Sequence, residues 1–312
     1  MRSGKAILTA LIILLFAGIS LADEEIMVVS WNTESGGANP DTVAVRIASM
    51  NGVDLWGLCE VKDINWALAF ENAAEDGEPG DFKPLLGTTG NTDRLLILYD
   101  KTQFDEIGHQ EIGWEDRYWF RPTMNPRSAL VAHLRHKSTG QEFFFMVNHL
   151  YRGSAVDPRR LDQAKRLREW ASKQSIPIIA VGDYNFDWDL DPEDARHNDQ
   201  KGFGDMTACG VFKWLKPENP VRTHDSTFNS ILDFVFLANA EGKITGTSRV
   251  VVVDGDFPDN EETPDHRPVQ ATLEFKHATQ GDTLKEQLQK RVAEIESELD
   301  RLKGLIIQLP NQ

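Results

Sequence analysis

Apolar residues along this chain come in short, mostly continuous runs, and most of the runs empty into polar groups at one end. Ile26-Met27-Val28-Val29-Ser30-Trp31-Asn32 is the first, a buried strand closed by a carboxamide. Asn39-Pro40 then reads as the cap and first turn of a helix with Val43, Ile47 and Met50 on one face, stopped by Asn51-Gly52. Val53 to Glu60 returns as a strand, so this opening predicts a βαβ unit with both strands ending at polar side chains. Asp63 to Ala74 is helical in pattern and Arg94 to Tyr99 is a strand. Ser128 to Leu134 and Glu142 to Asn148 form a hairpin around Ser138-Thr139-Gly140. Asp157-Pro158 caps a helix reaching about Gln174, with Leu161, Ala164, Leu167 and Ala171 inward and Arg159, Arg160, Lys165, Arg166 and Arg168 read as its solvated side. Ile176 to Val181, Ile231 to Leu237 and Val269 to Phe275 complete the set, while Gly113 to Pro126 fits no element.

Continuous apolar runs require cover on both faces of a sheet. Strands outnumber helices, so two sheets must cover each other and helices must cover the outside. The predicted fold class is α/β, a four-layer sandwich of two mixed β-sheets flanked by helices, occupying residues 23–276. Residues 1–22 have the basic start, apolar centre and small-residue end of a secretory signal peptide, with cleavage expected after Ala22. The expected location is therefore secreted, extracellular or periplasmic, with no stable membrane insertion. Residues 277–283 are a short polar linker. Beyond it Leu288, Val292, Ile295, Leu299, Leu302, Ile306 and Leu309 alternate four and three apart, which predicts a coiled-coil helix over 284–309 and self-association through it. A helix laid back on the same domain is the competing reading of that seam.

Composition narrows the chemistry. The formal charge of −16 repels polyanions at long range, so any nucleic-acid contact would need divalent cations to reverse the local potential. Cys59 lies in an apolar run and reads as a small buried residue; Cys209 is distant in sequence, and the cysteine spacing shows no zinc pattern.

Five strand ends deliver polar groups: Asn32, Glu60, Asn148-His149, Asp183 with Asn185, and Asp265-His266. Asp and Asn after a strand commonly begin a turn, and Glu60 or His149 alone could be an ordinary strand-end residue. Asp233 is harder to explain away, because an unpaired carboxylate inside Ile231 to Phe236 would cost several kcal/mol. Carboxylates and amides without thiolates suit Mg²⁺, with Mn²⁺ or Ca²⁺ as alternatives. Two histidines supply an acid and a base near neutral pH, so the set suits phosphoester hydrolysis. Asp187, Asp189 and Asp191 begin like a calcium loop, but Pro192 and Asn198 stand where Gly and Glu are required. Asp254 to Asp265 reads as a solvated acidic loop, with structural Ca²⁺ as the competing reading.

W-N at 31–32, C-E-V-K-D at 59–63, N-H-L at 148–150, G-D-Y-N at 182–185, S-I-L-D-F-V-F at 230–236 and P-D-H-R-P-V at 264–269 together resemble the endonuclease/exonuclease/phosphatase superfamily. N-H-L-Y-R-G resembles its bacterial extracellular deoxyribonucleases, and E-V-K-D with Asp93-Arg94 resembles deoxyribonuclease I. The resemblance implies Asn32, Glu60 and Asp265 at the metal, and His266 as the base, oriented by Asp233. It implies Asp183 and Asn185 positioning water and phosphate, and His149 as the acid, with Asp93 where that branch has a Glu. The shorter Asp leaves this second pair open. The expected activity is that of a metal-dependent phosphodiesterase, nuclease-like, with DNA as the expected substrate. A phosphatase or phospholipid phosphodiesterase of the inositol-phosphate or sphingomyelin type, and a non-catalytic oligomeric binding protein, are the alternatives.

Overall fold

The computed structural model describes residues 23–77, 80–113, 127–153, 157–191, 201–258, 260, 262–277 and 292. The expected leader at 1–22 and all of the unassigned Gly113 to Pro126 stretch but Gly113 lie outside the described residues, as do the linker and heptad helix except for His277 and Val292.

Among the described residues, twelve strands and four α-helices follow in order. They are β1 Glu24–Asn32, α1 Pro40–Ala48, β2 Leu55–Val61, α2 Ile64–Gly77, β3 Phe82–Leu86, β4 Arg94–Asp100, β5 Phe104–Ile112 and β6 Ala129–His136. Then come β7 Glu142–His149, α3 Pro158–Ala171, β8 Ile178–Asp189, α4 Lys201–Thr207, β9 Phe212–Trp214, β10 Ser230–Ala238, β11 Ile244–Val250 and β12 Val269–Phe275. They form two six-stranded mixed sheets, ordered β11-β12-β1-β2-β4-β3 and β5-β6-β7-β8-β10-β9. Each has one parallel pair near its centre, β1 with β2 across α1 and β7 with β8 across α3. Both crossover helices start as the sequence predicts: Asn39 Oδ1 accepts from the Asp41 N–H, and Asp157 Oδ1 from the Arg159 N–H, each ahead of a proline.

Three apolar clusters separate the layers. Val28, Leu55 and Ile97 of the first sheet meet Phe145, Val147, Val181 and Val235 of the second. Val29, Trp31, Trp56 and Leu98 point the other way, onto Val43, Ile47 and Phe70 of α1 and α2. Met146, Ala180 and Phe236 pack outward against Ala164 and Leu167 of α3. This is the period-two alternation of a strand with both faces covered, and each large side chain so buried contributes about 1.5–3 kcal/mol.

Glycine sets the spacing at two places that matter for the site. A Cβ at Gly57 would stand 2.3 Å from Val181 Cγ2 and 3.0 Å from Val147 Cγ2, so this glycine lets β2 settle directly against β8 and β7. Gly182 has φ of 134°, and a Cβ there would stand 1.8 Å from the Asn148 carbonyl oxygen. No other residue admits that approach of β8 to β7.

Strand β8 differs from expectation. Instead of ending at Val181 it continues through Asp183 and Asn185 to Asp189, with left-handed backbone at Asn185 and Asp187 (φ 52° and 56°). Asp183 and Asp189 stay paired with β10, at Asp233 and Ser230, while Asn185 and Asp187 lie in the irregularity between Asp233 and Ile231.

Candidate active site

Register carries the polar side chains to one rim. His149 pairs with Asp183 across parallel β7 and β8, and Asp183 pairs with Asp233 across antiparallel β8 and β10. These three form one row over adjacent strands of the second sheet. From the first sheet, Asn32 closes β1 and Glu60 lies near the end of β2, and Asp265-His266 precede β12, which pairs with β1. All except Asp233 line one cleft of about 220 Å³ between the sheet rims, which Asn185, Arg152 and Phe228 also border.

Contacts within the cleft are close. His266 Nδ1 is 2.8 Å from Asp233 Oδ2, and Asp233 is fully buried. His266 Nε2 faces the cleft, 3.9 Å from both Asp183 Oδ2 and Asp265 Oδ1. His149 Nε2 is 3.3 Å from the same Asp183 oxygen and 3.8 Å from Glu60 Oε1. Asn185 donates its backbone N–H to Asp183 Oδ1 at 2.9 Å and its side-chain amide to the Leu150 carbonyl at 3.2 Å.

The charges respond to this crowding. Burial raises the Asp183 carboxyl to about 6 against the pull of His266, and Asp233 and Glu60 add to the rise. Burial also raises Glu60, with only partial relief from the Asn32 amide and Arg127. Desolvation, reinforced by Arg127 and His266, pushes His149 well below the ordinary histidine range. Desolvation opposes charge on His266 too, but the Asp233 charge and hydrogen bond, with Asp183 and Asp265, outweigh it and lift the imidazole to about 10. Burial acts to raise Asp265, yet the His224 hydrogen bond and the charges of His266 and Arg152 hold it low. The carboxylates of Glu60, Asp183, Asp233 and Asp265 outnumber the cations near them, an excess that a divalent cation at this rim would offset.

Two expected site residues make other contacts. Asn32 turns its amide nitrogen to Glu60 Oε1 (3.1 Å) and Asp183 Oδ2 (3.3 Å), because its Oδ1 accepts the Glu34 N–H at 3.1 Å. In that orientation it ties the carboxylates together rather than presenting oxygen to a metal. Asp93 does not reach His149: its carboxylate takes Arg127 Nη1 at 3.2 Å and Ser35 Oγ at 2.8 Å, and it does not line the cleft. His149 Nδ1 is buried with no hydrogen-bond partner among the described residues. A one-carbon reach and the neighbouring guanidinium account for the difference.

Sequence reasoning passed over three contributors. His224 lies 3.3 Å from Asp265 Oδ2, and the Asp265 N–H donates to Glu34 Oε2 at 2.9 Å. Arg160, read as solvated, is almost fully buried and donates to the Tyr151 and Gly153 carbonyls on either side of Arg152. A helix inward face that includes Arg160 was detectable only from the loop it supports. In the acidic 254–265 stretch, Asp256 is buried and paired with Arg267 at 2.8 Å and 2.9 Å, so it is neither a solvated loop residue nor free for Ca²⁺.

A sandwich of two mixed sheets with carboxylates and two histidines converging at one rim is the arrangement of a phosphoester hydrolase. Residues 29–260 match the model of the endonuclease/exonuclease/phosphatase family, and the chain belongs to that family. No curated protein matches the sequence. Similar solved structures include an endonuclease/exonuclease/phosphatase family protein of Bacteroides thetaiotaomicron, with 17% identity, TM-score 0.59, and 82% of this chain and 98% of that one covered. A mannosyl-6-phosphatase of the same organism has 18% identity, TM-score 0.58, and coverage of 80% and 99%. TDP2 of D. rerio, solved with a single-strand DNA product, has 15% identity, TM-score 0.58, and coverage of 80% and 99%. At these identities the likeness is one of fold.

Proposed function

We propose that the chain is an exported, Mg²⁺-dependent phosphodiesterase of the nuclease-like kind. The observation that carries this reading is the pair of imidazoles, His266 on Asp233 and His149 on Asp183, facing one cleft from opposite sides of a shared carboxylate. Environments that separate two histidines in proton affinity allow one to take and the other to give a proton, as cleavage of a diester requires.

Glu60, Asp183 and Asp265 would hold the metal, with Asn32 bracing the first two. When bound, a divalent cation supplies positive charge to the phosphate oxygens and offsets the carboxylates that keep His266 protonated. Asp233 fixes the His266 proton at Nδ1, leaving Nε2 to exchange a proton with the attacking water. Asp183, held by the Asn185 N–H, orients that water, and Asn185 borders the phosphate. His149 Nε2 serves the leaving oxygen. Arg152, placed by Arg160 through the flanking carbonyls, binds a non-bridging oxygen.

A phosphomonoesterase is the second reading, favoured by one observation: the formal charge of −16 works against long-range attraction of a polyanionic diester. The deciding experiment is nicking of sealed plasmid with and without EDTA, beside sugar-phosphate and sphingomyelin hydrolysis. EDTA-sensitive nicking is expected, and it should vanish in His266→Ala and Asp183→Ala. Plasmid left intact while the sugar phosphate is hydrolysed would replace the first reading with the second.

A further inference from the structure

The cleft sets one side chain that the proposed hydrolysis does not use, His224, against two that it does, Asp265 and His266. His224 and His266 are partners in an isolated antiparallel bridge, and the Asp225 N–H to Asp265 carbonyl (2.8 Å) and Arg267 N–H to Thr223 carbonyl (2.7 Å) bonds bracket them. Those bonds make 224 and 266 a non-hydrogen-bonded pair, the type that brings opposite side chains closest. Their ring centroids are 4.7 Å apart. Asp265, next in sequence to His266, turns its carboxylate between them, with Oδ2 at 3.3 Å from His224 Nε2 and Oδ1 at 3.9 Å from His266 Nε2. One ligand atom from each of His224, Asp265 and His266 falls within 4.8 Å of the others.

Spacing and chemistry select the ion. Ligand atoms at zinc distances of about 2.0–2.1 Å around a tetrahedron stand about 3.3–3.4 Å apart. Octahedral magnesium at a similar radius asks for about 2.9 Å and prefers oxygen throughout. His224 Nε2 and His266 Nε2 approach opposite oxygens of Asp265, at 3.3 and 3.9 Å, and two imidazole nitrogens beside one carboxylate are the donor set of zinc rather than of magnesium. The outer shell is also present, since Asp233 takes His266 Nδ1 and aims Nε2 into the group, the carboxylate–histidine arrangement that orients zinc ligands.

We propose that His224, Asp265 and His266 form a zinc site that switches hydrolysis off. Zinc on His266 Nε2 occupies the atom that must exchange a proton with water; the Nε2 proton leaves to solvent as the metal binds. Bridging two strands, the ion also locks the segment before β12 to the segment before β10. The inhibitory half of this inference rests on the function proposed above, whereas the binding half stands by itself.

The full chain, stripped with EDTA and dialysed, is titrated with Zn²⁺ alone and, separately, with Co²⁺ followed by visible absorption. The expected result is a single equivalent of zinc and an intense cobalt spectrum of tetrahedral type. His224→Ala and His224→Asn should each weaken zinc binding by about tenfold or more. Glu60→Gln, outside the group, should keep it. Mg²⁺-supported hydrolysis should fall over the zinc range in which binding occurs. Absence of bound zinc, a pale octahedral cobalt spectrum, or unchanged affinity in both His224 variants would overturn the site. The wild-type cobalt spectrum decides even if both variants fail to fold. Zinc bound without loss of hydrolysis would overturn the switch, whereas zinc bound with no hydrolysis of any phosphoester would count against the function and leave the site standing.

Discussion

Replacing Asp233 by Asn tests the electrostatic core of the site. The residue is fully buried and sits 2.8 Å from His266 Nδ1, and it is the main source of the field that holds the imidazole proton. Lifting a histidine from 6.5 to about 10 sets a ceiling of about 5 kcal/mol on the stabilisation. Desolvating the carboxylate consumes much of that, so about 2 kcal/mol should be lost in the variant near pH 7. For a domain of this size the melting temperature should fall by about 4–8 °C. Because the folded-state value lies above the unfolded one, the contribution is complete below about pH 6.5 and fades as the pH rises through about 10. Urea denaturation in EDTA at several pH values across that window should show the parent losing stability while Asp233→Asn stays nearly flat. Hydrolysis should fall by about two to four orders of magnitude, because a carboxamide no longer dictates the tautomer. A variant with the parent's pH slope and a rate within fivefold of it would refute the reasoning.

Asp93→Asn should leave hydrolysis within about threefold and stability within about 1 kcal/mol, since its partners are Arg127 and Ser35; a far larger loss of rate in a steady-state assay would restore its role beside His149. Gly57→Ala forces a methyl against Val181 and should cost about 1–3 kcal/mol in calorimetric melting. An unchanged melting temperature would mean that the sheets part freely. Burial acts to raise Glu106, but hydrogen bonds from Lys83, His109 and Tyr99 bring it down to about 2. Its contribution, about 1 kcal/mol after screening by water, is present above about pH 4.5 and lost as the pH falls through about 2. Glu106→Gln should therefore be less stable than the parent at pH 7 and equal to it at pH 2, by denaturant titration.

The strands that sequence pattern revealed and those it missed divide along one physical line. All eight interior strands were readable, most as largely continuous apolar runs and β12, V-Q-A-T-L-E-F, as an alternation. The four that escaped, β3, β5, β9 and β11, are the four edges of the two sheets. Ile244-Thr245-Gly246-Thr247-Ser248-Arg249-Val250 shows why, since a strand covered on one side only carries polar residues that resemble a loop. Most of the cleft was readable as polar residues where apolar runs stop. His224 was not, because its place depends on a bridge to a residue 42 positions later, and no local spacing encodes that. Asp93 misled for the opposite reason: its position in the chain suggested a partner, but Arg127 was nearer.

Strand β12 enters between β1 and β11 and is the last strand among the described residues. Until it docks, β1 presents an open edge in the middle of what will be the first sheet, and Asp265 and His266 have no fixed place. The cleft therefore cannot exist until residues 263–275 have been made and docked, however complete the second sheet and its Asp183 row have become. Assembly of the hydrolytic centre is a late, long-range event coupled to closure of the first sheet. Damage to residues 263–275 should thus eliminate function and expose an aggregation-prone edge in the same step.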